Sequence, residues 1–434
     1  MSATLVSLVD TAMVGSLGAV ATAAVGVCAS PSWLVNGLVY SVGVGGTALV
    51  ARLVGAGDRR GAEYAARQVY RAVIFFSLAA ALFMYLMAPV IPRMMQASGD
   101  VIPEAAAYMR IYSMGLLINY VGTAMSALLR GAGDTRTPMR AGLLANALNC
   151  AGNFLLIYEP RTIALGPVAL PMWGAGMGVR GAALASALSI SASGAYVLYR
   201  MHKKDSALYL RYPKGEKVDS AILGRVVRVS VPAAMERLAV NVGQILFAAM
   251  ITSVGTAEVA AYHIAINVEG IGYMPAFGFA AAATALVGQR LGAGDPNGAE
   301  RLGRRTVMMS LALLILLGLV MWGLSGPLAS LFSPSPAVVA LAAAFIAICA
   351  AEQPFNALSI VLSGALRGAG DTLWPFLCGL ISMWGVRILG AYIFGFVLGF
   401  GVMAVFWAMV ADLGVRSLLL WVRFSRGRWK TKTV

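Results

Sequence analysis

The tetrapeptide Gly-Ala-Gly-Asp occurs four times, at 55–58, 131–134, 292–295 and 368–371, and the second pair repeats the first at a shift of 237 residues. The match runs well past the tetrapeptides. "TALVARLVGAGDRRGAEYAAR" (47–67) lies over "TALVGQRLGAGDPNGAERLGR" (284–304) without a gap, and "LLRGAGDTRTP" (128–138) over "ALRGAGDTLWP" (365–375) at the same shift. Long self-similarity at a fixed spacing is the mark of a duplicated structural unit. Whatever one half folds into, the other must fold into as well, and the two copies run in the same direction.

The solvent of that unit follows from its composition. The chain is 59% apolar and 12% charged, with a mean hydropathy of +0.79; soluble domains carry about 25% charged residues. Apolar runs of about 20 residues, enough for one membrane crossing, recur throughout. A backbone in lipid must satisfy its own hydrogen bonds, and nothing here alternates like the strands of a barrel, so the spans are helices. The pattern predicts an all-α polytopic membrane protein of twelve helices, six per copy. They fall near 1–17, 24–51, 63–92, 103–129, 138–158 and 178–201, then 227–253, 258–288, 302–331, 335–366, 374–397 and 400–423. The domains are then 1–202, a polar linker 203–225, 226–424, and a basic tail 425–434. The repeat puts the start of the first helix about ten residues before Met1, so that helix is expected to be truncated and the sequence to begin at an internal start.

Basic residues set the expected orientation. Of 33 lysines and arginines, 25 lie on segments facing the same way as the C-terminus, and the opposite loops hold Arg93, Arg161 and Arg180. The positive-inside rule makes both termini cytoplasmic. The net charge of +15 is thereby explained without nucleic acid, since the charges are scattered over short loops. Each GAGD falls at a cytoplasmic helix end. Glycine can take the positive φ that closes a helix, and aspartate caps the next one. A dinucleotide-binding loop is excluded, because 55–61 is one residue too long for G-x-G-x-x-G and follows no strand. Cys28, Cys150, Cys349 and Cys378 lie inside helices without metal-ligand spacing, which suits buried small hydrophobes. No nucleophile–base set or H-E-x-x-H motif is present, so no enzyme and no cofactor is expected.

The segments "LVDTAMVGSLG" (8–18), "LRGAGDTRTPM" (129–139), "VGTAEVAAYHIAINVEGIGYMPAFGFAAAATALVGQRLGAGD" (254–295) and "LSGALRGAGDTLWP" (362–375) resemble the multidrug and toxic compound extrusion (MATE) transporters of bacteria. The resemblance covers nearly the whole chain in the family's order. It implies two six-helix bundles about a central cavity that opens alternately to either side. It also implies export of organic, often cationic compounds in exchange for protons or sodium, by a multi-pass protein of the inner (plasma) membrane. The expected partners are small organic molecules, the coupling ion and membrane lipid, and the expected state is a monomer. A flippase for lipid-linked sugars, from the related superfamily, is the alternative; it calls for a strongly cationic interior.

Polar residues within spans are costly and mark the site. Asp10, flanked by apolar and small residues in "LVDTAMVG", is suited to carry a proton or coordinate sodium. The second copy has Phe247 there, so the repeated fold does not need it. In the family an aspartate of this motif is implicated in ion coupling, and the resemblance carries that role to Asp10. Asn146, Asn149 and Asn153 form one stripe of helix five, which could serve the ion or glue helices together. The family often has aspartate where Asn153 stands, and asparagine cannot titrate. Glu236, after Pro232, resembles an acid that some members use, and Arg237 could neutralise it. His263 is a second proton candidate, since histidine titrates near pH 6.5. The ion-coupling set is thus Asp10, Asn149, Asn153, Glu236 and His263. Trp33, Asn36 and Tyr40 share a face of helix two. With Glu269, Tyr273 and Gln353 they form the expected substrate cavity, where aromatic faces attract organic cations. Glu352, beside Gln353 and Pro354, is a lesser candidate outside these sets, and Asp412 and Arg416, four apart, are read as an internal ion pair and left outside the mechanism. In that mechanism an incoming ion at Asp10 repacks the first half and releases substrate, which requires ion and substrate to favour different states.

Overall fold

The computed structural model describes residues 13–165, 168–211 and 216–432. Among them are eleven long helices: α1 (Ala19–Gly55), α2 (Arg59–Met87), α3 (Val101–Gly131), α4 (Arg136–Leu156), α5 (Gly178–Met201), α6 (Ser220–Thr252), α7 (Thr256–Gly292), α8 (Pro296–Gly323), α9 (Pro336–Gly368), α10 (Leu373–Val397) and α11 (Gly401–Ser425). Ten of them are long and apolar enough to cross a membrane. The exception, α4, carries the asparagine stripe and Arg140. Residues 13–15 are helical and 16–17 form a turn; residues 1–12, Asp10 included, lie outside the described residues.

Two features depart from the all-α expectation. Strands β1 (Arg161–Leu165) and β2 (Val168–Met172) pair antiparallel between α4 and α5. In addition, α10 opens into π-helix over Ile381–Ile388 and Ala391–Val397.

The four GAGD turns share one geometry. Gly57, Gly133, Gly294 and Gly370 have φ of 75°, 93°, 72° and 80°. The N–H of the following aspartate bonds the carbonyl five residues back in each copy: Asp58 to Leu53, Asp134 to Leu129, Asp295 to Arg290 and Asp371 to Leu366, at 2.9–3.0 Å. This is the six-to-one bond of a helix closed by a left-handed residue. Asp134 then accepts from the Thr137 N–H at 3.0 Å, and Asp295 from the Gly298 N–H at 2.7 Å, capping α4 and α8. Asp371 departs from the pattern and turns to Arg423, 2.8 Å away.

The chain forms two compact units, Met1–Gly46 with Arg60–Leu223, and Thr47–Arg59 with Gly224–Val434. In the first, α3 and α5 approach so closely that a Cβ on Gly115 would strike the Ala187 carbonyl, and one on Gly122 would strike Gly194. Small residues at crossings allow the close backbone packing that drives helix association in lipid. The second unit uses the same device between α7 and α9, where Gly364 lies against the Ala280 carbonyl. The repeat relates this crossing to Gly43 against Ala127 in the first unit. The last turns of α1 pack on α7 inside the second unit: Gly55 meets the Gln289 carbonyl, and Gly292 meets that of Arg52. Those four residues are one another's counterparts under the 237-residue shift.

Candidate functional site

The interior of the second unit concentrates charge that a membrane span ordinarily excludes. Glu269 comes from the middle of α7, and Glu352 comes from α9 with Cys349 one turn before it. A ligand atom from each of the three lies within 4.8 Å of the others, and all three residues are buried. Pro275 and Pro354 interrupt the two helices beside them; a proline removes a backbone bond and bends the helix. Glu352 Oε1 accepts from Asn356 Nδ2 at 3.4 Å, while Oε2 is buried with no donor. Two buried carboxylates so close repel each other when both are ionised.

A second buried group lies within electrostatic reach of this pair. Arg387, on the π-helical part of α10, donates from Nε to Asp412 Oδ2 at 2.7 Å, and its guanidinium interacts with Glu352 and Glu269. Its other face lies 5.6 Å over the Phe247 ring. Asp412 is fully buried and also accepts from Arg416 at 3.4 Å, the pair expected from their spacing; Arg416 in turn donates to Ser382.

The expected site residues fall in several places. Gln353 is wholly buried rather than lining an open space: it donates to the Cys349 carbonyl at 3.2 Å and packs against Gly272, whose missing Cβ admits it. Glu269 joins Glu352 and Cys349. Tyr273 is half-buried, edge-on to Phe277 at 5.9 Å. His263 is exposed beside Tyr262 and stands apart from the acid cluster. Glu236 is buried and paired with Arg367 at 2.7 Å. Its chain neighbour Arg237 instead lies over Phe277, because adjacent helical residues point to different faces.

In the first unit, Asn149 donates to Ser186 at 3.1 Å and Asn153 to Asn149 at 3.3 Å, which ties α4 to α5. Asn36 and Tyr40 are half-buried on α1. The Trp33 side chain and Asp10 lie outside the described residues.

Glu352 and Arg387 were missing from the sequence-based site. A signal for the acid pair was present in the repeat: the counterparts of Glu269 and Glu352 are Ser32 and Gly115, small residues where helices must pack. Acids at such positions are a departure that packing does not require.

The MatE family model matches residues 1–155 and 232–393. The chain is 29% identical over 430 residues to the probable multidrug resistance protein NorM of Thermotoga maritima, covering 99% of this chain and 90% of that one. It is 29% identical over 393 residues to the multidrug resistance protein PmpM of Pseudomonas aeruginosa, covering 88% of this chain and 78% of the other. Among solved structures, a MOP superfamily transporter from Pyrococcus furiosus superposes with a TM-score of 0.89 at 22% identity, over 100% of this chain and 93% of that one. The MATE transporter VcmN of Vibrio cholerae, as a mutant, superposes with 0.88 at 17% identity, over 99% and 95%. The family match falls on both halves of the duplication and agrees with the fold, so the chain belongs to the MatE family, the multidrug and toxic compound extrusion transporters.

Proposed function

We propose that this protein is a secondary active exporter of several organic compounds, driven by inward movement of protons or sodium. Its GAGD ends face the cytoplasm of a bacterial cell. The observation that carries the coupling is the Glu269–Glu352 pair: two buried carboxylates within 4.8 Å, one with an oxygen that no donor meets. A proton or sodium ion there relieves the repulsion between them, and losing it exposes both charges to Arg387. The ion thus prefers one packing of α7, α9 and α10 over another, which is the differential affinity that a coupled transporter needs. The names of the relatives support multidrug substrates. The buried acids speak against the flippase alternative, which called for a cationic interior. Asp10 keeps the coupling role that the sequence proposes for it in the first repeat.

Ethidium efflux from proteoliposomes, under an imposed pH gradient or sodium gradient separately, tests this reading. Efflux driven by one gradient and lost in Glu352→Gln is expected, with normal expression of the variant. Asp10→Asn is expected to lose it as well. Full gradient-driven efflux in Glu352→Gln would remove the pair from the mechanism.

A further inference from the structure

We infer that the GAGD end of the second unit holds a site for the phosphate-bearing headgroup of an anionic phospholipid. A cavity of about 860 Å³ opens there, with Arg225, Arg228, Pro232, Asp371, Thr372 and Lys432 in its wall. Arg225 and Arg228 are three apart on the first turns of α6 and therefore share a face. Both are exposed, and among the described residues neither makes an ion pair. The acid in the wall does not cancel them. Asp371 is 2% exposed and is already neutralised by Arg423 at 2.8 Å.

The third cation is fixed in place by the C-terminal segment. The basic tail is an ordered 3-10 turn, Arg428–Thr431. Trp429 is fully buried, stacked on Phe424 at 4.9 Å, and donates from Nε1 to the Phe424 carbonyl at 2.7 Å. Lys430 pairs with Glu300 at 2.6 Å, and Arg52 donates to the Lys432 carbonyl at 2.6 Å. Lys432 thereby sits at the cavity, and among the described residues its ammonium makes no ion pair. Also in the wall, Thr372 is the N-cap of α10 and makes no side-chain cap bond, so the first N–H groups of that helix add to the positive potential.

The surface beside the cavity separates a lipid from a soluble anion. Val227, Val231, Met235 and Leu238 of α6 are 40–60% exposed, and Leu373 and Trp374 of α10 are 53% and 41% exposed. An acyl chain can lie along this apolar face while its phosphate sits among the arginines and Lys432. Basic pockets between membrane helices at the cytoplasmic side take anionic headgroups in this way. The inference rests on the orientation proposed above, in which this end meets the anionic inner leaflet. It does not depend on efflux.

The test uses the full chain purified in detergent, with thermal stability and native mass spectrometry as readouts. Dioleoylphosphatidylglycerol, dioleoylphosphatidylcholine and inorganic phosphate are added separately. The glycerol lipid is expected to raise the melting temperature and to persist as a bound adduct, while the other two do neither. Arg225→Gln/Arg228→Gln should melt normally without lipid and need about tenfold more of the anionic lipid for the same shift. Lys432→Gln should show part of that loss, and Arg93→Gln, on the opposite side, none. Equal shifts from the choline lipid, or from the double variant, overturn the site. A full shift from inorganic phosphate overturns the lipid and assigns a soluble anion. Loss of efflux with the lipid response intact would count against the proposed transport and leave this site standing.

Discussion

Glu352 has one carboxylate oxygen with a weak amide donor and another with none, beside a second acid and in the middle of a membrane span. A structural ion pair would not leave that oxygen unmet; a site that loads and unloads a cation would. Replacing Glu352 by glutamine supplies an N–H that can reach Glu269 and removes the like charge. The variant should therefore fold at least as stably as the parent while losing coupled efflux, a separation that thermal unfolding and the proteoliposome assay resolve together. Arg387 makes the opposite prediction. Its bond to Asp412 is buried, and breaking such a pair by removing one partner costs about 3–5 kcal/mol, because a charge is left uncompensated. Arg387→Met is expected to approach that loss, with Arg416 offsetting part of it. Arg387→Met/Asp412→Leu should recover much of it, since replacing both charges of a buried pair by apolar groups is often neutral. If the double variant were as unstable as the single, the pair would not be the source. Single residues were the least legible scale. Glu269 and Gln353 were visible as polar residues in apolar helices, but their places depend on which faces of α7 and α9 meet. Arg387 could not be singled out before Asp412 was known to face it.

Helices were the most legible elements, because span length and end chemistry are local. The eleven long helices fall within a few residues of the expected ranges over most of their lengths. The clearest differences are α6, which starts seven residues earlier at Ser220, and α8, which starts six earlier at Pro296 and stops at Gly323, before the short helix Ser325–Ser330. The GAGD turns follow from glycine's access to the left-handed region. The β1–β2 hairpin and the π-helical stretch of α10 were not legible. Neither has a strong local signature in the sequence. The closing glycines give a test at this scale. A Cβ at Gly57 or Gly294 meets nothing within 4 Å, so alanine there suffers only from its backbone conformation. Gly57→Ala and Gly294→Ala should each cost about 1–2 kcal/mol in unfolding measurements. Asparagine at the same positions should cost less, because it tolerates the left-handed region. Equal costs for alanine and asparagine would mean that something other than φ fixes these turns.

At the scale of the whole molecule, the duplication foretold two similar six-helix halves but not where the compact units divide. Residues 47–59 belong to the first repeat in sequence and pack with the second unit. The reason lies in the contact between the last turns of α1 and α7, where Gly55 abuts the Gln289 carbonyl and Gly292 that of Arg52. The repeat exchanges these two contacts, so they are two copies of one interaction. That equivalence makes a quantitative prediction. Gly55→Ala and Gly292→Ala each push a methyl into a backbone carbonyl that cannot yield as a side chain would, and overpacking of this kind costs about 1–3 kcal/mol. The two losses should match, because the geometry is the same on both sides. They should also fail to add. Once one methyl has forced the helix ends apart, the second finds the space already made, so the double variant should lose clearly less than the sum of the singles. Thermal unfolding of the four proteins measures this directly. Additive losses would show that the contacts are independent and that the repeat symmetry has no energetic counterpart at this crossing.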